Sequence, residues 1–288
     1  MKSFAVVSVF ASVVLAQSSS LIPAGVSQGC ATFLTSLNND ASLASCTGPI
    51  INATAILLNS TTAASPSTVS TILNTVCGGA VQCDEGAIRS KLADFYTNCN
   101  PELTSQKNDA VVAHYDALYA VSPLRTSICS KDDSGAYCAT RNPTTTSVSS
   151  LYSTTDNNGQ KVFTVNRSTF LSSNLAFLFL NSGSDKDHLC SACSRQAMTA
   201  FVSWESNSPY APGIAQSGIL AGQSDLYNAI QQTCGANFLQ GAVQAAGSLS
   251  DGVISGKKNG AARSVGSVNV GGLSAFLGAV TVLAAVAL

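Results

Sequence analysis

The chain has 288 residues, of which 14 are Lys or Arg and 15 are Asp or Glu, for a net charge of −1. Only 10% of its residues are charged, against about 25% in an average soluble domain. With no basic stripe to neutralise phosphates, the composition argues against nucleic-acid binding. An apolar content of 45% argues equally against wholesale disorder, and two His leave little for metal or general-base chemistry.

Met1, Lys2 and Ser3 supply one positive charge, and residues 4–16 form an apolar run that closes on Val14, Leu15 and Ala16 before polar Gln17. Residues 1–16 therefore read as a secretory signal peptide, too short to span a membrane. A short polar leader is expected over residues 17–28. At its end Gly25-Val26-Ser27-Gln28-Gly29 matches the nucleophile-elbow pattern. That motif needs a preceding strand, which the sequence does not offer, so Ser27 is expected to cap the helix that follows.

Residues 29–140 read as a first helical, Cys-containing region. Cys30, Phe33, Leu34 and Leu37 recur at helical spacing, as do Val69, Ile72, Leu73 and Val76. The second stripe has Ser65 as its expected N-cap, Pro66 at the first helical position and Gly78 as a left-handed stop. A third stripe comprises Ile88, Leu92, Phe95, Tyr96 and Cys99. A fourth comprises Val111, Tyr115, Leu118 and Ser122, with Pro123 expected to end it.

Residues 141–167 form a Ser/Thr-rich loop in which two short β-prone runs flank Asn158-Gly159, the signal of a minor β-hairpin. Residues 168–240 read as a second helical, Cys-containing region of the same domain. Leu171, Leu175 and Leu178 suggest a helix there, with residues 175–180 as a buried strand in the alternative. Cys193, Ala197, Met198, Phe201 and Val202 form the next helix. Leu226, Ile230, Thr233 and Cys234 form the last, closed by Gly235. A Gly/Ser stalk is expected over 241–259.

Residues 273–288 are apolar and uncharged. At about 1.5 Å per helical residue they reach about 24 Å, short of a hydrocarbon core of about 30 Å. With Asn259-Gly260-Ala261 and a polar spacer before them, they match a glycosylphosphatidylinositol signal whose propeptide, residues 260–288, is removed. Asn259 is the expected attachment residue, with Ser255 and Gly260 as alternatives; a short tail anchor is the competing reading. Sequons at Asn52, Asn59 and Asn166 mark expected N-glycosylation, whereas Asn142 is excluded by Pro143.

Ten cysteines, Cys30, Cys46, Cys77, Cys83, Cys99, Cys129, Cys138, Cys190, Cys193 and Cys234, lie between the two processing signals. An even number in an exported chain reads as a disulfide framework. Spacing leaves the connectivity open, with Cys77–Cys83 and Cys129–Cys138 among the local options. His188, Cys190 and Cys193 could form part of a metal cluster, but no second pair completes four ligands. Cys190 and Cys193 could alternatively be a redox dithiol, although no βαβ pattern surrounds them; structural disulfides are the favoured reading. Paired carboxylates at Asp84-Glu85, Asp132-Asp133 and Asp185/Asp187 could serve a glycosidase. Their places at a helix start and in polar turns suffice to explain them.

Gly29-Cys30-Ala31-Thr32-Phe33-Leu34 with Cys46, Asn174-Leu175-Ala176-Phe177-Leu178-Phe179-Leu180, Leu189-Cys190 with Cys193, and the stretch from Tyr227 to Gly235 carry a resemblance. Over about Gly29 to Leu239 the chain resembles uncharacterised fungal secreted proteins with a Cys-containing domain of unknown function, often with a lipid-anchor signal. The resemblance implies a fungal cell surface and no catalytic residue. In that setting Lys257-Lys258 favours retention at the plasma membrane over transfer to wall glucan.

The expectation is a mainly α, disulfide-braced helical bundle with a minor β-hairpin, glycosylated and tethered to the outer leaflet. The leading role is a non-enzymatic cell-surface or wall-associated protein that shields, spaces or binds, with wall glycans as possible partners. The alternatives are a module for a small apolar ligand such as a lipid or sterol, lined by residues 175–180, and a thiol-disulfide enzyme using Cys190 and Cys193. No catalytic, cofactor-binding or metal-binding residue is assigned.

Overall fold

The computed structural model describes residues 22–59, 66–79, 81, 83–141, 152–157, 160–165, 172–239 and 253–254, with backbone alone at 51–59, 66 and the 152–157 and 160–165 segments. Among these residues lie nine α-helices: α1 Gln28–Asn38, α2 Ala41–Asn59, α3 Pro66–Val76, α4 Glu85–Asn98, α5 Asn100–Leu103, α6 Asp109–Cys129, α7 Lys186–Leu189, α8 Ala192–Ser206 and α9 Gln223–Cys234. The fold is mainly helical and braced by five disulfides.

The apolar stripes become the buried faces. Cys30, Phe33, Leu34 and Leu37 of α1 are buried, as are Val69, Ile72, Leu73 and Val76 of α3 and Ile88, Leu92 and Phe95 of α4. Ser27 caps α1 by accepting the Cys30 N–H, and Asp84 caps α4 by accepting that of Ala87, each answering a donor with no helical partner. Ser65 lies outside the described residues. At the end of α3, Gly78 is not left-handed; a Cβ there would meet the Asn74 carbonyl oxygen at 2.8 Å. Its glycine is thus required for close approach. Arg125 of α6 reaches across to donate from Nε to the Val76 carbonyl at 3.1 Å, closing the same helix end.

Helix α6 corrects the expectation that Pro123 ends the fourth stripe, for it runs through Pro123 to Cys129. An internal proline costs about 3 kcal/mol through its missing N–H and ring clash. Fifteen of the 21 residues of α6 are buried, so packing on nearly every side outweighs that local cost. Pro49 lies inside α2 in the same way. Helix α6 is the axis of the body: α3, α4 and α5 pack on one part of it, and α8 lies along another. Phe33, Phe95 and Tyr115 stack in sequence from α1 through α4 to α6, at 5.2 and 5.1 Å between ring centroids.

Residues 175–180 form neither the helix nor the strand expected of them. Leu175–Phe177 is a single 3-10 turn, and Leu178 and Phe179 then take φ of 54° and 64°. Left-handed backbone costs a bulky residue about 1–2 kcal/mol. Asn174, itself left-handed, holds the knot together. Its carbonyl accepts from the N–H groups of Phe177 and Phe179, and its Nδ2 donates to the Leu180 carbonyl at 3.0 Å. All six apolar side chains of the knot are buried, and Phe177 packs on Phe201 of α8.

Helix α8 buries Cys193, Ala197, Met198, Phe201 and Val202 as expected, and α9 buries Leu226 and Ile230. Thr233 is exposed. Gly235 closes α9 with φ of 91°. Two residues within the expected stalk are described, and both dock on the body. Val253 N–H donates to the Ala211 carbonyl at 2.9 Å, and Ile254 is buried in the common core. Backbone pairing joins Tyr152–Asn157 to Gln160–Val165, but their side chains lie outside the described residues. The minor hairpin is therefore not supported as part of the fold, whose class rests on the helices and disulfides.

Two expected outcomes follow from this packing. A Cβ at Gly222 would fall 2.0 Å from Oδ1 of Asn174, a side chain already held in the knot. Gly222→Ala is therefore expected to lose about 1–3 kcal/mol in denaturant unfolding, and much less in an Asn174→Gly background. Under mild reductant, alkylation and mass spectrometry should find Cys77–Cys129 and Cys190–Cys234 opened first, since these four residues are only half-buried. Cys30–Cys99 and Cys138–Cys193, each buried at both ends, should open last.

Candidate functional site

All ten cysteines are paired: Cys30–Cys99, Cys46–Cys83, Cys77–Cys129, Cys138–Cys193 and Cys190–Cys234. The local options Cys77–Cys83 and Cys129–Cys138 are thereby overturned, because Cys77 and Cys129 meet each other at the ends of α3 and α6, while Cys83 and Cys138 reach Cys46 and Cys193. The first six cysteines pair among themselves and the last four among themselves, which gives two covalently braced modules in one core. Cys190 and Cys193 are bonded to separate distant residues, so they form no mutual dithiol and offer no thiolate to a metal. His188 Nδ1 lies 2.7 Å from both carboxylate oxygens of Asp185. Among the described residues no group of three metal-capable side chains assembles.

The remaining sequence candidates resolve into local structure. Ser27 follows residues 22–26, which form no strand, and its hydroxyl is occupied as the α1 cap. Glu85 pairs with Arg89 at 2.6 Å and accepts from Ser122 Oγ at 3.0 Å. Asp132 closes a turn by accepting from Ser134 and Ala136 and pairs with Arg141. The Ser134 hydroxyl is the largest influence holding its carboxyl below the ordinary value. Asp185 caps α7, where the His188 N–H lowers its carboxyl likewise. Asn52 and Asn59 lie on α2 where only backbone is described; Asn166, Ser255, Asn259 and Gly260 lie outside the described residues.

Two features remain with the character of a site. The first is an open groove of about 590 Å³ between α1 and α4, lined by Gln28, Gly29, Thr32, Phe33, Ser36, Lys91, Asp94 and Asn98. Lys91 holds one rim through an ion pair with Asp40 at 2.7 Å, and its ammonium is the leading cause lowering the Asp40 carboxyl to about 2. The floor is fixed by Cys30–Cys99 and by Glu102, whose Oε1 accepts the Ser27 N–H at 2.6 Å. Burial raises the Glu102 carboxyl, but the donors of Ser27 outweigh it and hold the group below its ordinary value. Exposed amides, hydroxyls and one carboxylate therefore face solvent from a rigid base. Chemically this suits a ligand rich in hydroxyl groups.

The second feature is buried. Glu205 is 2% exposed and accepts from Gln223 Nε2 of α9 at 2.8 Å through Oε2. Its Oε1, the Oε1 of Gln223, the Tyr119 hydroxyl and the Trp204 Nε1 are buried without a hydrogen-bond partner. Burial pushes the Glu205 carboxyl up to about 7, against a smaller lowering by Gln223. Burial is also the main cause raising the Tyr119 hydroxyl, followed by the nearby Glu205 charge. No sequence motif marks this acid, although a signal exists. Glu205 continues the spacing of Met198, Phe201 and Val202, which places a carboxyl on the apolar stripe of α8.

No curated protein and no solved structure matches the chain. The model of a family described as a domain of unknown function (DUF7729) matches residues 16–243. The groove, the buried acid and all five disulfides fall inside that span, and the chain belongs to the DUF7729 family.

Proposed function

We propose that this protein is an exported, lipid-anchored surface glycoprotein of the fungal type, without catalytic chemistry, which contacts wall glycans through the groove between α1 and α4. The observation that carries this reading is the consumption of every cysteine in five disulfides that bridge 37 to 69 residues of chain. Such bonds form and persist in oxidising compartments. By the chain-entropy account each stabilises by roughly 4 kcal/mol, a support suited to a chain so poor in charge. The family match adds to this, since it begins at the last residue of the signal peptide and stops close to residue 241, where the stalk was expected.

Docked Ile254 changes what the stalk does. If Asn259 carries the lipid, four residues separate it from docked Ile254, and the five steps between them, at about 3.6 Å each, span less than about 20 Å. The body is then held close to the outer leaflet and is not projected far above it. The polar groove favours a hydroxyl-rich ligand over a sterol, and residues 175–180 serve as packed core.

Expressed at full length in a eukaryotic host, the protein should be released from intact cells by phosphatidylinositol-specific phospholipase C and lose mass with an N-glycosidase. Recovery as a reduced cytosolic chain would sink the reading. A Gln28→Ala/Asp94→Ala variant should bind insoluble wall polysaccharide at least about tenfold more weakly, ~1.4 kcal/mol. Unchanged binding would remove the groove from the proposal.

A further inference from the structure

The two disulfide modules meet where α8 lies along α6, the most extensive helix–helix contact of the body. One disulfide, Cys138–Cys193, anchors the first turn of α8 to the 3-10 turn that follows α6; the rest of the seam carries no covalent bond. Glu205 sits within it, bonded to Gln223 at the start of α9. From α6 the groups facing the seam are the Tyr119 hydroxyl and, one turn earlier, Asp116, which accepts the Gly218 N–H at 3.0 Å. From α4 comes Arg89, whose guanidinium lies 4.9 Å over the Trp204 ring while its Nη2 is engaged by Glu85. The Leu175–Phe177 turn brings no titratable side chain. The α7 groups, Lys186, Asp187 and His188, belong to the opposite end of α8. Among the described residues no cation pairs with Glu205.

A carboxylate in that position would have one hydrogen bond and no counter-charge, in a place where removing an ion from water is costly. A carboxylic acid fits better, because the proton on Oε1 adds a donor to a cluster that holds the unpartnered Gln223 Oε1 and Tyr119 hydroxyl. We propose that Glu205 is a proton-binding site that locks the two disulfide modules together when occupied and loosens the docking of α8 and α9 when empty. The displaced segment would remain attached through Cys138–Cys193, which ties the first turn of α8 to the 3-10 turn that follows α6, so loosening is local and reversible. Export and anchoring are not needed for this site to work, and its failure would leave them untouched.

The direction of the pH dependence follows from the carboxyl being raised in the folded state, from 4.5 to about 7. Its contribution to stability is complete below pH 4.5 and is lost as pH rises through 7, amounting to about three hundredfold in the folding constant. The carboxyls of Asp40 and Glu102 are lowered, so their contributions fade in the opposite direction, below the ordinary carboxylate range. Trp204, the single tryptophan, lies next to Glu205 in the chain and reports on the seam. In the full-length secreted protein its emission should shift to the red between pH 5 and 9 with a midpoint near 7, below the unfolding temperature. Glu205→Gln should abolish that shift and flatten the melting temperature over the same interval. At pH 8, amides of α9 should exchange faster in the unmodified protein than in Glu205→Gln, while those of α1 and α4 match. A pH-independent emission in the unmodified protein, a shift that survives Glu205→Gln, or equal exchange in α9 would each overturn the site.

Discussion

Everything in this protein depends on cross-links between distant helices. Four ion pairs occur among the described residues, three of them on short local turns or helix faces, so charge does little to hold the helices together. Cohesion comes from one apolar core and from five bonds that constrain the unfolded chain. Their distribution matters as much as their number. Three lie among the first six cysteines and two among the last four, which leaves all of α8 beyond its first turn, where Cys138–Cys193 anchors it, to be held on α6 without a covalent bond. The helices on either side of the seam are stapled to their own neighbours. Any freedom the body retains is therefore concentrated at one surface.

That surface is also where the interior is least well satisfied. Buried polar atoms are normally paired, and exceptions cluster where a structure is called on to do something other than persist. Tyr119, Trp204, Glu205 and Gln223 form such a cluster, contributed by α6, α8 and α9. The proline-containing course of α6 supplies the rigid wall against which they rest. The strained turn at residues 175–180 packs on α8 through Phe177 and Phe201, so α8 is clamped one turn before Glu205 on the same apolar stripe.

The groove between α1 and α4 has the opposite character. It is open, polar and rigid at its base, because Cys30–Cys99 and the Glu102–Ser27 hydrogen bond tie its two walls. In the proposed surface role, its spaced hydroxyls and amides would supply the contact region. Under the two proposals, a polar face outside and a proton-binding seam inside would let binding and cohesion respond to different conditions.

Helical periodicity was legible wherever one face was apolar. Cys30, Phe33, Leu34 and Leu37, or Cys193, Ala197 and Phe201, announced both the helix and its buried side, because a 3.6-residue repeat is a local property of the chain. So were the cap at Ser27, the helix start at Asp84-Glu85 and the helix end at Gly235, whereas Gly78 ends α3 without the left-handed backbone expected of it. Pro123 misled, since a local rule against interior proline was outweighed by burial from several elements. The run at 175–180 misled for a related reason: Asn174 and Gly222 are far apart in the chain, and their close approach sets a backbone that no window of residues contains. Cysteine number and residue type already required an oxidised, cross-linked body. Which sulfur met which, where Glu205 came to rest, and what Ile254 packed against were settled by the arrangement of helices in space, because each is a contact between segments whose separation in sequence carries no information about their distance.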